Sequence, residues 1–469
     1  MKTTVKLLGA VILGAELFIS GCAKKQTSEW QSIKNPEVAT QLKSFVTEKE
    51  AQANAATNKM PKEFKRFFAA ADRGDWLVVS NMFYDLGRRN GHFETAGKPE
   101  WQLRGIPWQA VAEIWGGFAA FGEGDEKYSA AYANDIIDSI PPGSIYFGGT
   151  DPGRFLITAM QKSQVKGDPF FTLTQNALCD GSYLDYLRSM YGGRIYIPTS
   201  EDSQKCFQDY MEDAQRRMQN HQLKPGEDVR TDANGKIQVS GQVAVMNING
   251  LLVKTIFDKT PDREFYIEES FPLDWMYPYL EPHSLIMKIN RQPLPALSEA
   301  VVSQDHDYWA KYVQPMIGDW LKADTSVEEV AAFAEKVFAK NDFNGFTGDP
   351  RFIQNAYSHK MFSKLRSSQA GLYAWRAQHA ADASEKERMN EAADFAFRQA
   401  FALCPYSPEA VFRYVNLLFS EKRLADAVTV AETAVKMPAI YSSDGEQFRS
   451  LARQLQNYQK ANQTSPDGK

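Results

Sequence analysis

The sequence predicts an α/β domain with a mixed or mainly parallel sheet, followed by an all-α domain of helical repeats. Over residues 126–300, short apolar segments bounded by Gly and Pro alternate with helical patterns, an order typical of a parallel or mixed sheet. Over residues 301–462, apolar residues recur at i, i+3 and i+4 with no strand-like segment between them. The expected boundaries are 1–21 for a signal peptide, 22–60 for a polar tether, 61–125 for helical hairpins, 126–300 for the α/β domain, 301–462 for the helical repeats and 463–469 for a disordered tail.

Composition excludes some classes of protein but does not select one. The chain has 469 residues, a length typical of about three domains. Its hydrophobic content of 43% with 24% charged residues is that of an ordinary globular protein. The net charge of -5, with no long run of Lys and Arg, provides no electrostatic surface for nucleic acid. We therefore expect no nucleic-acid partner.

The N-terminus has the features of an export signal. Lys2 and Lys6 form a basic start, and residues 7–19 form an apolar run that is too short to span a bilayer. The next residues, Ile-Ser-Gly-Cys at 19–22, resemble the bacterial lipobox, in which small residues precede a Cys that is acylated and becomes the mature N-terminus. Glu16 within the apolar run departs from that pattern, and a simple secretory signal is the alternative.

The lipobox resemblance implies an anchor and a location. Several acyl chains on Cys22, palmitate among them, would hold the protein to a membrane far better than a single chain. Ala23 follows Cys22, and by resemblance to enterobacterial sorting the lack of Asp at that position favours the outer membrane. We therefore expect a lipoprotein of the cell envelope that is anchored in the outer membrane and faces the periplasm. Which membrane holds the anchor stays open at this point.

Export also changes the interpretation of the cysteines. Besides Cys22, the chain has Cys179, Cys206 and Cys404, an odd number for a compartment that permits disulfides. Cys179 and Cys206 belong to the same predicted domain and can form a disulfide, and three buried thiols are the alternative. The chain has no CxxC motif, and its six His residues show no metal-ligand spacing. We expect no metal site and no cofactor.

Local patterns predict the individual elements. Apolar periodicity predicts helices at 64–71, 76–86, 107–122, 127–140, 182–190, 202–220, 243–257, 273–280, 306–321, 326–339 and 355–380. Runs of β-branched and aromatic residues predict strands at 144–147, 169–174, 194–197, 264–268 and 285–289. Residues 222–238 are rich in turn-forming residues and predict a loop.

The turn after the first predicted strand is the best location for a binding site. Asp151 has the chemistry of an N-cap, and Pro152 fits the first position of the helix that follows. In an open α/β sheet such turns lie at the carboxyl ends of the strands, where ligands usually bind. The candidate ligand-binding residues are those that follow the first and second strands: Thr150, Asp151, Arg154, Asn176 and Asp180.

Ordinary turn and helix-cap chemistry is the alternative for all five residues. The glycine-rich segment 148–153 satisfies neither GxGxxG nor GxxxxGK[ST], and Asp151 puts a negative charge where a phosphate would bind. Residues 305–307, Asp-His-Asp, favour a helix N-cap cluster over a catalytic pair, because neighbours on a helix point in different directions. No Ser/His/Asp or Cys/His arrangement is recognisable, so the catalytic residues are unknown and we favour a role without catalysis.

The C-terminal helices resemble tetratricopeptide repeats. Ala393, Phe397 and Ala400 have the spacing of the second helix of that family, and a second copy begins 34 residues later at Ala427, which is the period of the family. Residues 448–458 carry one apolar face, as a capping helix does. The resemblance implies stacked helical hairpins whose concave face binds a protein or peptide partner.

Residues 135–290 resemble the soluble domain of bacterial O-mannosyltransferase-like membrane proteins. The shared features are Pro141-Pro142 before a strand, Gly149 and Asp151 in the turn after it, and an aromatic strand at 265–267 that precedes a helix and a strand at 285–289. The catalytic part of such transferases is a multi-helix membrane domain that this sequence does not show. The resemblance therefore implies an accessory role in a cell-envelope or glycan system.

Two functions follow as expectations. The first is a membrane-anchored envelope lipoprotein that acts as a binding or scaffold protein through its helical repeats, with a protein or peptide as partner. The alternative is an enzyme or binding protein that acts on a polar sugar- or nucleotide-like ligand in the crevice near Asp151. A deep cavity lined by the five candidate residues would favour the alternative.

Overall fold

The computed structural model describes residues 33–93, 98–149, 152–224, 226–231, 237–268, 273–438 and 442–464. Its helices in chain order are α1 (Pro36–Ala55), α2 (Lys62–Asp72), α3 (Trp76–Arg89), α4 (Ile106–Gly122), α5 (Glu126–Ser139), α6 (Pro152–Met160), α7 (Gly181–Tyr191), α8 (Ser200–Gln219), α9 (Gln242–Lys259), α10 (Glu299–Ile317), α11 (Val327–Ala334), α12 (Pro350–Gln354), α13 (Ala356–Gln378), α14 (Ala383–Leu403), α15 (Pro408–Ser420), α16 (Leu424–Lys436) and α17 (Ser442–Thr464). Its strands are β1 (Ile145–Gly148), β2 (Phe171–Thr174), β3 (Asp228–Thr231), β4 (Ile237–Ser240), β5 (Phe265–Ile267), β6 (Leu280–His283) and β7 (Ile286–Ile289).

These elements form two compact units. The first contains the described residues up to Glu126 together with Ile140–Ile267, and the second contains Lys127–Ser139 together with the described residues from Glu268 on. The prediction that the chain combines an α/β region with a helical region is confirmed. The predicted boundaries at residues 126 and 300 differ from those observed, because the helices of 61–125 belong to the same unit as the parallel strands, and β6 and β7 belong to the helical unit.

Helix α1 is part of the core of the first unit. Asn35 caps it through bonds from the backbone amides of Glu37 and Val38 to its side-chain oxygen. The buried face of α1, Val38, Leu42, Phe45, Val46, Lys49 and Ala53, packs on α4. The prediction of a polar tether is therefore wrong for 36–55. The apolar residues at helical spacing decide the structure, and the many polar residues between them form the solvent face.

The predicted hairpin of α2 and α3 is confirmed. Phe64, Phe67 and Phe68 are buried on α2, and the chain reverses at Gly74, whose φ of 70° favours glycine. Asp75 then caps α3 by accepting a bond from the amide of Val78 at 3.3 Å.

Three parallel strands form the centre of the first unit. β1 lies between β2 and β5, with Ile145 opposite both Phe171 and Phe265. All three strands are fully buried, as their apolar sequences require. Helix α6 follows β1, and α7 follows β2, so the order of strand and helix is that of an α/β unit. Residues 194–197 were predicted to form a strand, but they form irregular backbone after α7.

The segment between the second and third parallel strands forms a small subdomain of α8, α9 and an antiparallel hairpin of β3 and β4. Val229 pairs with Val239 across the hairpin, and both pack on a core of Tyr210, Ala214 and Ala244. The prediction of a loop over 222–238 is wrong at 228–231 and 237–238, because Val229 and Val239 pack on this core and their segments pair as strands.

In the second unit, β6 and β7 form an antiparallel hairpin that α13 holds in place. Leu280 pairs with Ile289. Gln369 on α13 donates to the carbonyls of Ser284 at 3.0 Å and Ile286 at 2.9 Å. The helix predicted at 273–280 is limited to a 3₁₀ turn at Tyr277–Tyr279, since Pro278 has no amide hydrogen to donate and β6 begins at Leu280.

From α10 onward the chain is helical, as predicted. The helices α13 and α14, α14 and α15, α15 and α16, and α16 and α17 are joined by short turns or loops and pack on one another in sequence. Ala427 and Ala431 on α16 are fully buried. These small side chains allow the neighbouring helix to approach closely.

Candidate functional site

Three of the five predicted ligand-binding residues, Arg154, Asn176 and Asp180, belong to the described part of the chain. Thr150 and Asp151 lie outside the described residues. Arg154 is 5% exposed and belongs to the interior of the first unit. Asn176 and Asp180 lie in the segment that leads from β2 to α7. Arg154 is therefore an interior residue, whereas Asn176 and Asp180 lie where the chain enters α7.

Arg154 is part of a buried charge network centred on Glu113 of α4. The Glu113 carboxylate accepts bonds from Arg154 at 2.5 Å and from Lys49 of α1 at 2.7 Å. It also accepts bonds from Gln164 at 3.2 Å and from the hydroxyl of Tyr186 on α7. Lys49 and Glu113 are completely buried. The network thus ties α1, α4, α6 and α7 together from four distant parts of the sequence.

The electrostatics of this network keep Glu113 ionised. Burial alone would raise the pKa of its carboxyl, but Lys49 and Arg154 oppose burial and bring the pKa down to about 2. Burial lowers the pKa of Lys49, and Glu113 opposes that shift. Two cations share one anion here, and the flanking Tyr186 has a pKa held well above its ordinary value by burial. A permanently ionised carboxylate saturated with donors is a structural anchor and not a general base.

Asn176 and Asp180 also serve the fold. The side chain of Asn249 on α9, which is fully buried, donates to the carbonyl of Asn176 at 3.0 Å. Its oxygen accepts a bond from the amide of Cys179 at 2.8 Å. Asp180 caps α7 by accepting a bond from the amide of Ser182 at 2.9 Å. Helix-cap chemistry therefore accounts for the side chain of Asp180, and Asn249 holds the backbone of Asn176.

The three cysteines in the described part of the chain form no disulfide. Cys179, Cys206 and Cys404 are free thiols, so the disulfide between Cys179 and Cys206 that we considered is not formed. The Sγ of Cys206 lies 3.8 Å from the hydroxyl of Thr255, and the Sγ of Cys179 lies 3.7 Å from the carbonyl of Val245. Cys179 and Cys206 thus each have their own partner on α9, and Cys179 is exposed, so the alternative of three buried thiols holds for Cys206 and Cys404 alone.

The described residues contain neither a cluster of metal ligands nor a membrane-spanning helix. In that part of the chain, no group of three or more His, Cys, Asp or Glu residues is arranged to hold a metal ion. The described helices include none that is long and apolar enough to cross a membrane.

The second unit contains a comparable buried network around Asp305. Its carboxylate accepts bonds from Arg366 at 2.6 Å and from the hydroxyl of Tyr373 at 2.7 Å. The neighbouring His306 has a pKa lowered to about 4, first by burial and then by Arg366. Because α10 begins at Glu299, these residues lie inside the helix, and the prediction of a helix-start cluster is wrong. The bonds from Arg366 and Tyr373 to Asp305 hold α10 on α13.

A partly exposed aromatic row lies on the last helices of the second unit. Phe412 and Phe419 are one heptad apart on α15, so they share a face of that helix, and Asn416 between them is exposed. The ring of Phe412 lies 5.7 Å from that of Phe448 on α17, and the ring of Phe419 lies 5.2 Å from that of Tyr458. We call this surface, formed by Phe412, Asn416, Phe419 and Tyr458, the α15–α17 face.

Comparisons with protein-family models, with curated proteins and with solved structures found no match for this chain. By its fold, the chain is a two-unit α-rich protein with three parallel strands in the first unit and a C-terminal helical array in the second.

The sequence did not identify Glu113, Lys49 or Asn249 as important. A usable signal exists for the first two. Glu113 is the one acidic residue within an otherwise apolar stretch of α4, and Lys49 follows Phe45 by one helical turn on the buried face of α1. A charged residue at a core position of a helix requires a buried partner.

Proposed function

We propose that this protein is a lipid-anchored lipoprotein of the cell envelope that binds a protein or peptide partner through the α15–α17 face. The observation that carries the proposal is the aromatic row on that face. Phe412, Phe419 and Tyr458 keep part of their rings accessible around a polar residue, Asn416. Aromatic side chains that are partly exposed and fixed by neighbours bind partners at low entropic cost.

The spacing of small residues supports an interpretation of α13–α17 as tetratricopeptide-like hairpins. Ala393 and Ala400 on α14 and Ala427 and Ala431 on α16 are all fully buried, and Ala427 lies 34 residues after Ala393. In such hairpins the small residues lie where helices cross, and the remaining faces are available for a partner. A protein-binding role through helical hairpins is the function that we infer from this arrangement.

The use of the polar residues in the first unit supports a role without catalysis. Arg154 is neutralised by Glu113, and Asp180 caps α7. Both side chains are therefore engaged by the fold itself. The resemblance to soluble domains of O-mannosyltransferase-like proteins fits an accessory role in a cell-envelope or glycan system, and we include that role in the proposal.

Anchoring is proposed from the sequence. Cys22 lies outside the described residues, and the lipobox at 19–22 supports its acylation. Labelling cells with a palmitate analogue tests this part of the proposal. The full chain should incorporate the label, and the Cys22→Ser variant should not. A labelled Cys22→Ser variant would contradict anchoring through this residue.

The partner-binding part is tested by the Asn416→Arg variant of the full chain. Asn416 is exposed, so a longer charged side chain there blocks the α15–α17 face and leaves the core unchanged. The variant and the natural protein are used to capture partners from detergent-solubilised envelopes. We expect Asn416→Arg to lose a partner that the natural protein retains.

A matched control uses the first unit. Phe207 on α8 is 47% exposed, and Phe207→Ala removes an exposed aromatic ring from a different surface. We expect this control to keep the partner. If Asn416→Arg captures the same proteins as the natural chain, the α15–α17 face is not the docking surface.

A further inference from the structure

The first unit has an open cleft of about 800 Å³ that none of the candidate residues above lines. One wall follows α7 and the other follows α9, and the lining residues are Arg188, Gly192, Gly193, Arg194, Ile195, Tyr196, Ile197, Lys259, Thr260, Pro261, Asp262 and Arg263. Arg263 lies two residues before β5 and donates to the carbonyl of Gly143, two residues before β1, at 2.5 Å. The cleft is therefore at the amino ends of the parallel strands, opposite the edge at which a site was predicted.

Arg194 and Arg263 are held in place by neutral acceptors. Arg194 donates to the carbonyls of Tyr191 at 2.9 Å and Val165 at 2.5 Å, and also to those of Lys166 and Met190. Arg263 donates to the carbonyl of Arg194 at 3.0 Å as well as to that of Gly143. Every one of these acceptors is a backbone carbonyl. The bonds fix both guanidinium groups without neutralising their charge.

Both guanidinium groups also pack against the same aromatic side chain. Their central carbons lie 5.7 Å and 5.0 Å from the centroid of the same buried ring, that of Phe171. Two like charges held against one ring repel each other, and a bound anion in the cleft would offset that repulsion. This arrangement occurs in a chain whose net charge is -5, so it is not a consequence of a generally basic surface.

The other charges of the cleft are of two kinds. Arg188 and Lys259 at the rim already have carboxylate partners, Asp185 at 2.6 Å and Asp202 at 3.0 Å. Asp262 is the acidic lining residue and opposes anion binding at its end of the cleft. The unneutralised charge is thus concentrated at Arg194 and Arg263.

We infer that this cleft binds a ligand with adjacent phosphate groups. A guanidinium group binds phosphate oxygens through two parallel hydrogen bonds. The guanidinium group of Arg263 donates two bonds to carbonyls and has further N–H donors for a ligand. The volume is in the range of pockets for small molecules, so the cleft has room for an organic group beside the phosphates. Tyr196, whose ring lies under the ammonium of Lys259 at 4.6 Å, forms an aromatic wall for that group. This site is independent of the partner-binding proposal.

The test uses inorganic pyrophosphate as a soluble probe and vesicles of phosphatidylglycerol with phosphatidylcholine as a membrane probe. Calorimetry should show pyrophosphate binding that weakens about tenfold in each of Arg194→Gln and Arg263→Gln, because each change removes one charged hydrogen-bond donor to the ligand. Gln keeps two amide hydrogens, as many as the carbonyl bonds of Arg263 and half as many as those of Arg194. The matched control is Arg230→Gln, which removes an arginine that is 77% exposed elsewhere in the same unit.

The arms of the test distinguish the source of the phosphate. Arginine-dependent binding of pyrophosphate alone identifies a soluble phosphorylated ligand, and arginine-dependent binding of the vesicles identifies a lipid headgroup. Either result supports the site. Circular dichroism checks the fold of each variant, and if an arginine variant unfolds, Lys259→Gln, at an exposed rim position, should still weaken binding, because it leaves the negative charge of Asp202 unbalanced beside the cleft. Binding of neither probe, or equal weakening by Arg230→Gln, would overturn the inference.

Discussion

Replacing Glu113 with Gln tests the buried charge network of the first unit. The change keeps the shape of the side chain but leaves Lys49 and Arg154 without an anion in a completely buried position. Breaking a buried ion pair in this way costs about 3–5 kcal/mol. The pKa of Glu113 gives a similar figure, since a shift from 4.5 to about 2 corresponds to about 3 kcal/mol. Urea unfolding followed by circular dichroism measures the loss.

A double-mutant cycle gives the sharper result. Lys49→Met alone should cost less than Glu113→Gln, because Arg154 still neutralises the carboxylate. The combined variant should be less destabilised than the sum of the two, because Lys49→Met removes one of the cations that Glu113→Gln leaves unpaired. If Glu113→Gln is as stable as the natural protein, or if the two effects simply add, the network does not stabilise the unit as argued.

The same network predicts a pH dependence. Because the pKa of Glu113 is lower in the folded protein than in the unfolded chain, its contribution is complete above about pH 4.5 and disappears as the pH falls towards about 2. The natural protein should lose stability steeply in that window. Glu113→Gln should lose less there, and equal slopes for the two proteins would contradict the assignment.

Two further predictions concern packing and the second unit. Gly116→Ala should destabilise the protein by about 1–3 kcal/mol in thermal unfolding, because the added carbon would lie 2.2 Å from the ring of Phe155, whereas Gly181→Ala, which meets nothing within 4 Å, should not. Asp305→Asn should cost about 3–5 kcal/mol, since it leaves its buried arginine on α13 unpaired, whereas the exposed Asp319→Asn should change stability by less than about 0.5 kcal/mol. A large loss in either control, or none in either buried variant, would contradict the packing described.

Much of the secondary structure could be predicted because its causes are local. The stripe of Phe64, Phe67 and Phe68 marks the buried face of α2 directly in the sequence. The first two parallel strands were recognisable from short aromatic and β-branched runs between Gly and Pro. The hairpin at 228–240 also had a local signal, Asn-Gly at 234–235 between two alternating segments, which the prediction of a loop overlooked.

The organisation of the units and the charge network could not be predicted in the same way. Lys49, Glu113 and Arg154 come from three separate helices, and only the fold brings them together. The positions of Arg194 and Arg263 depend on carbonyls whose directions are set by the tertiary structure. Local patterns predicted a site at the carboxyl ends of the strands, where the described candidate residues instead serve the fold.

The central claim, that the α15–α17 face binds a partner, is tested most directly by site-specific photocrosslinking in intact cells. A photoreactive phenylalanine analogue is placed at Phe419 in the full chain, and at Phe207 as the matched position on the first unit. We predict a discrete crosslinked adduct with one protein from position 419 and none from position 207. No adduct at 419, or the same adducts at both positions, would contradict the claim.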